Sequence, residues 1–367
     1  MKRKIIIILL LIIMLLSYSI VYGEDLNLYG ESYILLDSNT GRVLYEKNAH
    51  QKMPMASTTK IMTALLALEN GKLDDKIVIK DESVGIEGSS IYLREGEVIS
   101  LKDMLYGLML RSGNDSAVAI ALHIGKSTDE FVNMMNQKAK SIGAENTNFI
   151  NPHGLHDDLH YSTAYDMAII TKEAFKYKEF ANIVGSKSYT ANREINNYYY
   201  NKNKTLWEYE GGDGVKTGYT MKSGRCLVSS ANKNGMRLIA VSLNARDWFN
   251  DNYKLLDYGF ENYKSTLIYS SDQFLKKTSV INGDKEYVNL VTEKSYFYPL
   301  KEGERENIKI SFEIPDTIEA PIEKGTKIGY IYTYLNGQLI DKSNIIAKTN
   351  IKETTIIERM LNKLRNN

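Results

Sequence analysis

The stretch Met55-Ala56-Ser57-Thr58-Thr59-Lys60, followed by the apolar run Ile61 to Glu69, decides how the rest of the chain is read. Ile61, Ala64, Leu65 and Leu68 recur at helical spacing, which predicts a helix starting at Ser57 with a stripe buried deep in its domain. Positions i and i+3 share a helix face, so Ser57 and Lys60 point the same way. A serine hydroxyl is a poor nucleophile at neutral pH and needs a base, and a neutral lysine three residues on can be one. The same residues also suit a serine that merely caps a helix, so the pair needs support from elsewhere.

Two later elements supply it. Leu101–Leu110 and Asp115–Ile124 read as apolar helices joined by a tight turn that holds Ser112-Gly113-Asn114. Val215–Thr220, Cys226–Ala231 and Arg237–Leu243 read as strands, with Asn234-Gly235 a hairpin turn, and the first carries Lys216-Thr217-Gly218. Each element has a task in acyl transfer. Ser57 attacks a carbonyl and Lys60 takes its proton, provided burial or a neighbour such as Lys216 depresses the lysine pKa. Ser112 can shuttle a proton, and Asn114 can hold the substrate backbone. Lys216 offers charge to a carboxylate, Thr217 a hydroxyl, and Gly218 room for close approach. Backbone N–H groups would stabilise the oxyanion. Ser57-Thr58-Thr59-Lys60, Ser112-Gly113-Asn114 and Lys216-Thr217-Gly218, in this order, match the serine-reactive penicillin-binding set of S-x-x-K, S-D-N and K-T-G, with Gly113 in place of the Asp.

The chain resembles the D-alanyl-D-alanine carboxypeptidases, the low-molecular-weight penicillin-binding proteins of bacterial cell-wall metabolism. The resemblance rests on Met53–Ala64, Leu110–Ala117 with Gly113 as that family has it, Asn151-Pro152-His153-Gly154-Leu155, Tyr161–Ala168 and Asp213–Thr220. It implies an α+β fold: a penicillin-binding/β-lactamase-like domain of helices on an antiparallel sheet plus a helical lobe, then a small all-β domain. It also implies Ser57 as the acyl-ester nucleophile, Lys60 as proton acceptor, Ser112 as a further catalytic residue and Lys216 as the substrate-binding lysine. The oxyanion hole would be the N–H groups of Ser57 and Tyr219. The implied substrate is a peptidoglycan stem ending in D-Ala-D-Ala, with β-lactams as covalent inhibitors and no cofactor or metal. One departure stands out. Where the family often has an arginine before the segment leading into Leu255–Phe260, this chain has Trp248, with Arg246 two residues earlier.

Composition sets the frame. With 367 residues, 43% hydrophobic and 25% charged, the chain can build two globular domains, and a net charge of +1 gives no nucleic-acid signature. Lys2, Arg3 and Lys4 precede the apolar run Ile5–Leu16, and Gly23 follows, as in an export signal cleaved near Gly23–Glu24. The protein is therefore expected outside the cytoplasmic membrane. Cys226 is the single cysteine, so no internal disulfide forms. The expected division is a signal over 1–23, a catalytic domain over 24–264, an all-β domain over 265–349 and an amphipathic tail over 350–367 that could contact a membrane. Within the catalytic domain a hairpin is expected over 29–47, a strand at 76–79, and helices over 128–142, 163–177 and 249–263. Tyr198-Tyr199-Tyr200 falls in a polar loop, with either packing or a glycan surface as its use.

Other residues carry weaker signals. His153, His156, His160 and Asp157 could suggest a metal site, but no H-E-x-x-H-like motif accompanies them, and His153 reads as structural near the site. Cys226 reads as a core residue, and Arg94 with Glu95 as a structural turn. A serine β-lactamase is the nearest rival activity. It would need a positioned glutamate for deacylation, and no Glu-x-x-Leu-Asn-like segment lies between Ser112 and Lys216. A DD-endopeptidase and an inactive peptidoglycan-binding scaffold are the remaining alternatives.

Overall fold

The computed structural model describes residues 26–357, so the expected signal over 1–23 and the last ten positions of the tail lie outside the described residues. The chain divides into two units. One takes residues through Leu36, Val43–Ala231 and Ile239–Leu256; the other takes Asp37–Arg42, Asn232–Leu238 and the chain from Asp257 on.

In the first unit, β1 (Gly30–Asp37) and β2 (Val43–Lys47) form the expected hairpin. A central helix, α1 (Lys60–Asn70), follows, then β3 (Lys76–Val78) and β4 (Val98–Ser100). Helices α2 (Leu101–Leu110), α3 (Asn114–Gly125) and α4 (Thr128–Ser141) come next, then α5 (Ala164–Ala174) and α6 (Lys178–Val184). β5 (Ser188–Thr190), β6 (Tyr198–Tyr200) and the short α7 (Thr205–Glu208) lead into β7 (Gly212–Thr220), β8 (Gly224–Lys233) and β9 (Met236–Ala245). Helix α8 (Trp248–Asn262) comes last. The sheet order is β2-β1-β9-β8-β7, which puts β7 at an edge. β8 and β9 each contain six consecutive buried residues, as strands do when both sheet faces are covered.

Helix α1 is buried at every position from Lys60 to Ala67, so it runs through the core rather than along it. It does not begin at Ser57. Ala56–Thr59 form a 3-10 turn in which the Lys60 N–H bonds to the Ser57 carbonyl. With three residues per turn, side chains at i and i+3 eclipse, which sets Lys60 over Ser57. Side-chain caps fix the neighbouring helices: Ser100 accepts from the Asp103 N–H at 3.0 Å, Ser127 from Glu130 at 3.1 Å and Thr163 from Asp166 at 3.0 Å.

Two expectations change here. The helix expected over 163–177 is α5, which ends at Ala174 and is followed by a separate, unexpected α6, and Tyr198–Tyr200 pairs with β5 as a hairpin rather than a loop. Tyr199 is buried there, and Tyr189 stacks on Tyr106 with ring centroids 3.6 Å apart.

The second unit is all-β after α8. β10 (Lys264–Tyr269) pairs with β13 (Tyr296–Leu300). A six-stranded sheet runs β14-β16-β17-β12-β11-β15, built from β11 (Phe274–Ile281), β12 (Tyr287–Thr292), β14 (Ile308–Glu313), β15 (Thr317–Glu319), β16 (Lys327–Leu335) and β17 (Gln338–Ala347). Val288, Leu290, Ile331, Ile345 and Ile351 form its core. Ile351 pairs with Ile322, and the Thr354 N–H donates to the Asn282 carbonyl at 2.8 Å. The first residues of the expected tail are thus packed onto this unit, while Ile356 and Ile357 are exposed.

Candidate active site

The turn carrying Ser57 is held between two glycines. Ala56, just before the serine, has φ +48°, a left-handed conformation unusual for a residue with a side chain. Gly154 has φ +90°, and a Cβ there would sit 1.9 Å from the Ala56 carbonyl oxygen. On the other side a Cβ at Gly218 would meet the Ser57 nitrogen at 3.0 Å. Two backbones therefore approach the turn as closely as glycine allows. Gly218 brings edge strand β7 against the nucleophile turn, and Gly154 brings the Asn151–Leu155 segment.

Lys60 is fully buried with its Nζ 3.1 Å from the Ser57 Oγ, 2.6 Å from the Asn114 Oδ1 and 2.6 Å from the His153 carbonyl oxygen. Burial holds its pKa well below the ordinary lysine value, the Lys216 charge lowers it further, and Asp115 opposes them. A neutral amine has two N–H groups and one lone pair. The Asn114 Nδ2 donates to the Glu87 carbonyl at 2.5 Å, which turns the Oδ1 toward the lysine as an acceptor. Asn114 Oδ1 and the His153 carbonyl can only accept, so they take both N–H groups of neutral Lys60. The lone pair is left for the hydroxyl of Ser57.

Ser112 and Asn114 sit where the turn between α2 and α3 was expected. Ser112 has φ +63°, is partly exposed and has no hydrogen-bond partner among the described residues, so its hydroxyl can turn toward a bound molecule. Behind it Asp115, 1% exposed, accepts from the N–H groups of Ile91 and Leu93 at 3.1 Å and from the Ser90 hydroxyl at 2.6 Å. It ties residues 90–93 to the start of α3.

Lys216 is 2% exposed and donates to the Thr217 carbonyl at 2.9 Å. Burial pushes its pKa down to about 7, with the Lys202 charge adding to the shift. Gly218 lies against the turn, and the side chain of Tyr219 is exposed. Arg246 is exposed too. Its carbonyl accepts from Arg225 at 2.9 Å, and the Arg225 guanidinium lies 5.8 Å from the Trp248 ring.

The histidines do different jobs. His153 contributes its carbonyl to Lys60, while its Nδ1 accepts from the Leu155 N–H at 3.2 Å. Burial pushes its pKa down to about 3. His160 is buried beside Thr59, and His156 lies 3.2 Å from Asp158 on the surface. Cys226 is buried, and burial pushes its thiol up to about 11, far from a nucleophilic thiolate. Sequence reasoning missed the His153 carbonyl and Asp115. Backbone acceptors leave no residue-type signal, whereas an acid in the first turn of a helix is at least a visible one.

A family model for D-alanyl-D-alanine carboxypeptidase matches residues 22–247, and one for the penicillin-binding protein 5 C-terminal domain matches residues 263–353. The chain is 38% identical to D-alanyl-D-alanine carboxypeptidase DacF of Bacillus subtilis over 338 residues, covering 89% of this chain and 87% of that protein. It is 34% identical to DacC of Escherichia coli over 340 residues, covering 88% and 84%. Penicillin-binding protein 5 of Haemophilus influenzae superposes with a TM-score of 0.73 at 31% identity, over 91% of this chain and all of that one. With the Ser57–Lys60 pair, the Ser112–Asn114 turn and the Lys216 strand meeting in one place, the chain belongs to the D-alanyl-D-alanine carboxypeptidase family.

Proposed function

We propose that this chain removes the terminal D-alanine from peptidoglycan stem peptides through an acyl-enzyme on Ser57. The observation that carries the reading is the fully buried Lys60 amine, its pKa held well below the ordinary lysine value by burial, with its Nζ 3.1 Å from the Ser57 Oγ. Lys60 takes the proton as the Ser57 Oγ bonds to the carbonyl carbon of the penultimate residue. The N–H groups of Ser57 and Tyr219 hold the oxyanion. The C–N bond then breaks, and the amine of D-alanine leaves with a proton passed through the Ser112 hydroxyl. Water hydrolyses the ester and restores the serine. Asn114 orients the substrate backbone as well as Lys60, Gly218 leaves room for it against β7, and Lys216 with Thr217 receives its carboxylate. A β-lactam, with a strained acyl group and a carboxylate of its own, would acylate Ser57 along the same path. The basic and apolar N-terminal stretch supports export, which fits a substrate outside the cytoplasm.

Protein recovered from the cell envelope, its chain starting near Glu24, should take a lasting fluorescent penicillin label and release D-alanine from a D-Ala-D-Ala pentapeptide. Ser57→Ala should lose both. Rapid penicillin turnover without D-alanine release would sink the carboxypeptidase reading in favour of a β-lactamase.

Lys216 gives the reaction a pH signature. In the free protein its ammonium loses its proton as pH rises through about 7. A bound carboxylate favours the charged form and must draw that proton back. KM for the pentapeptide should therefore rise above pH 7, by up to about tenfold per pH unit, while kcat changes less. A KM that stays flat from pH 6 to 9 would contradict this role for Lys216.

A further inference from the structure

His160 takes no part in the chemistry above, yet it is 2% exposed and both ring nitrogens are engaged next to the nucleophile. The Ile150 N–H donates to its Nδ1 at 3.0 Å. A backbone amide can only donate, so Nδ1 is the unprotonated nitrogen and Nε2 carries the hydrogen. Nε2 lies 2.8 Å from the Thr59 Oγ1, which itself donates to the Ala56 carbonyl at 2.8 Å. The donors therefore run in one direction: Ile150 amide, imidazole, Thr59 hydroxyl, Ala56 carbonyl.

That carbonyl belongs to the peptide group whose other end is the Ser57 N–H. The group is planar, so fixing the direction of the C=O fixes the direction of the N–H. The restraint matters because Ala56 is in the left-handed region, where a non-glycine residue is held only by its surroundings. Gly154 packs against the same oxygen but offers it no hydrogen bond through its missing side chain. Thr59 is fully buried, so water does not compete for the Ala56 carbonyl from that side.

We propose that His160 is a positioning residue for the oxyanion-binding N–H of Ser57, acting through the Thr59 hydroxyl on the carbonyl of Ala56. The proposal deepens, and rests on, the acyl-transfer reading of this site.

The test follows penicillin acylation by stopped flow and separates the pre-covalent dissociation constant from the acylation rate constant. Losing an oxyanion donor outright costs about 10²–10³ in rate, and misaiming one costs less. Thr59→Val, which keeps the shape and removes the hydroxyl, should slow acylation about 10- to 50-fold with the dissociation constant within about twofold. Thr59→Ser should recover most of the rate. His160→Asn can still accept from Ile150 but no longer reaches Thr59, and it carries the same comparison if Thr59→Val does not fold. Unchanged acylation in these variants would overturn the role. So would a loss confined to pre-covalent affinity, or a Thr59→Ser variant as slow as Thr59→Val. A wild-type protein that takes no penicillin label would instead overturn the acyl-transfer reading beneath it.

Discussion

Lys60→Met should slow acylation of Ser57 by about 10³-fold while leaving a folded protein, because general-base assistance contributes on the order of 10²–10⁴ in rate. Methionine matches the length and buried position of the lysine stem without the amine. The Asn114 Oδ1 and the His153 carbonyl then lose a donor each, at a cost of about 1–3 kcal/mol per buried acceptor. Against that, removing a fully buried amine removes its desolvation penalty. The two terms oppose each other, so stability should change far less than activity. The measurement is the second-order rate constant with a penicillin beside the denaturant midpoint. A variant that acylates within about tenfold of wild type would place the base elsewhere.

Gly154→Ala should impair folding and activity together. The new Cβ would sit 1.9 Å from the Ala56 carbonyl oxygen, and alanine would have to hold φ +90°. A strained backbone of this kind costs about 1–3 kcal/mol, and forced overpacking about 1–3 kcal/mol more. The turn can relieve the clash only by moving the Ala56–Ser57 peptide, so acylation should fall by about 10² or more even in the folded fraction, as for a lost oxyanion donor. A Gly154→Ala protein with the wild-type midpoint and wild-type acylation would show that the close approach does not hold the turn. Gly154 and His160 act on the same carbonyl, and a Cβ at Gly154 would also crowd the Thr59 Oγ1 at 2.9 Å, so their variants should not combine additively.

Much of this was legible in residue order. The apolar periodicity of 101–110, 115–124 and 128–142 placed three helices within a residue or two, because each buries a face and each has a polar cap or turn at its start. Asn234-Gly235 fixed the β8–β9 turn, and both residues take the positive φ that such a turn requires. The three motif elements meet as their chemistry demanded.

What stayed hidden has physical causes. Helix α6 starts without a side-chain cap, so nothing in the residues after 177 announced it. Tyr198–Tyr200 looked like loop because asparagines surround it, yet burial of Tyr199 makes it a strand. In the C-terminal unit, largely exposed strands such as β10 and β11 show little apolar–polar alternation for a sequence reading to catch. Within the site, the serine and lysine were visible, and so were the two causes expected to keep the lysine neutral, burial and the Lys216 charge, both of which lower its pKa here. What residue types could not show is the fit around the amine: the Asn114 Oδ1 and a carbonyl from the distant His153, which take the two N–H groups of a neutral lysine and turn its lone pair toward Ser57.

The most direct test of that neutrality is the 15N chemical shift of the Lys60 Nζ in lysine-labelled protein, assigned with Lys60→Met and followed from pH 6 to 11. A Lys60 Nζ that is a neutral amine at pH 8, while surface lysines are still ammonium, is the expected result. A Lys60 that stays charged until about pH 10, like an ordinary lysine, would contradict the account.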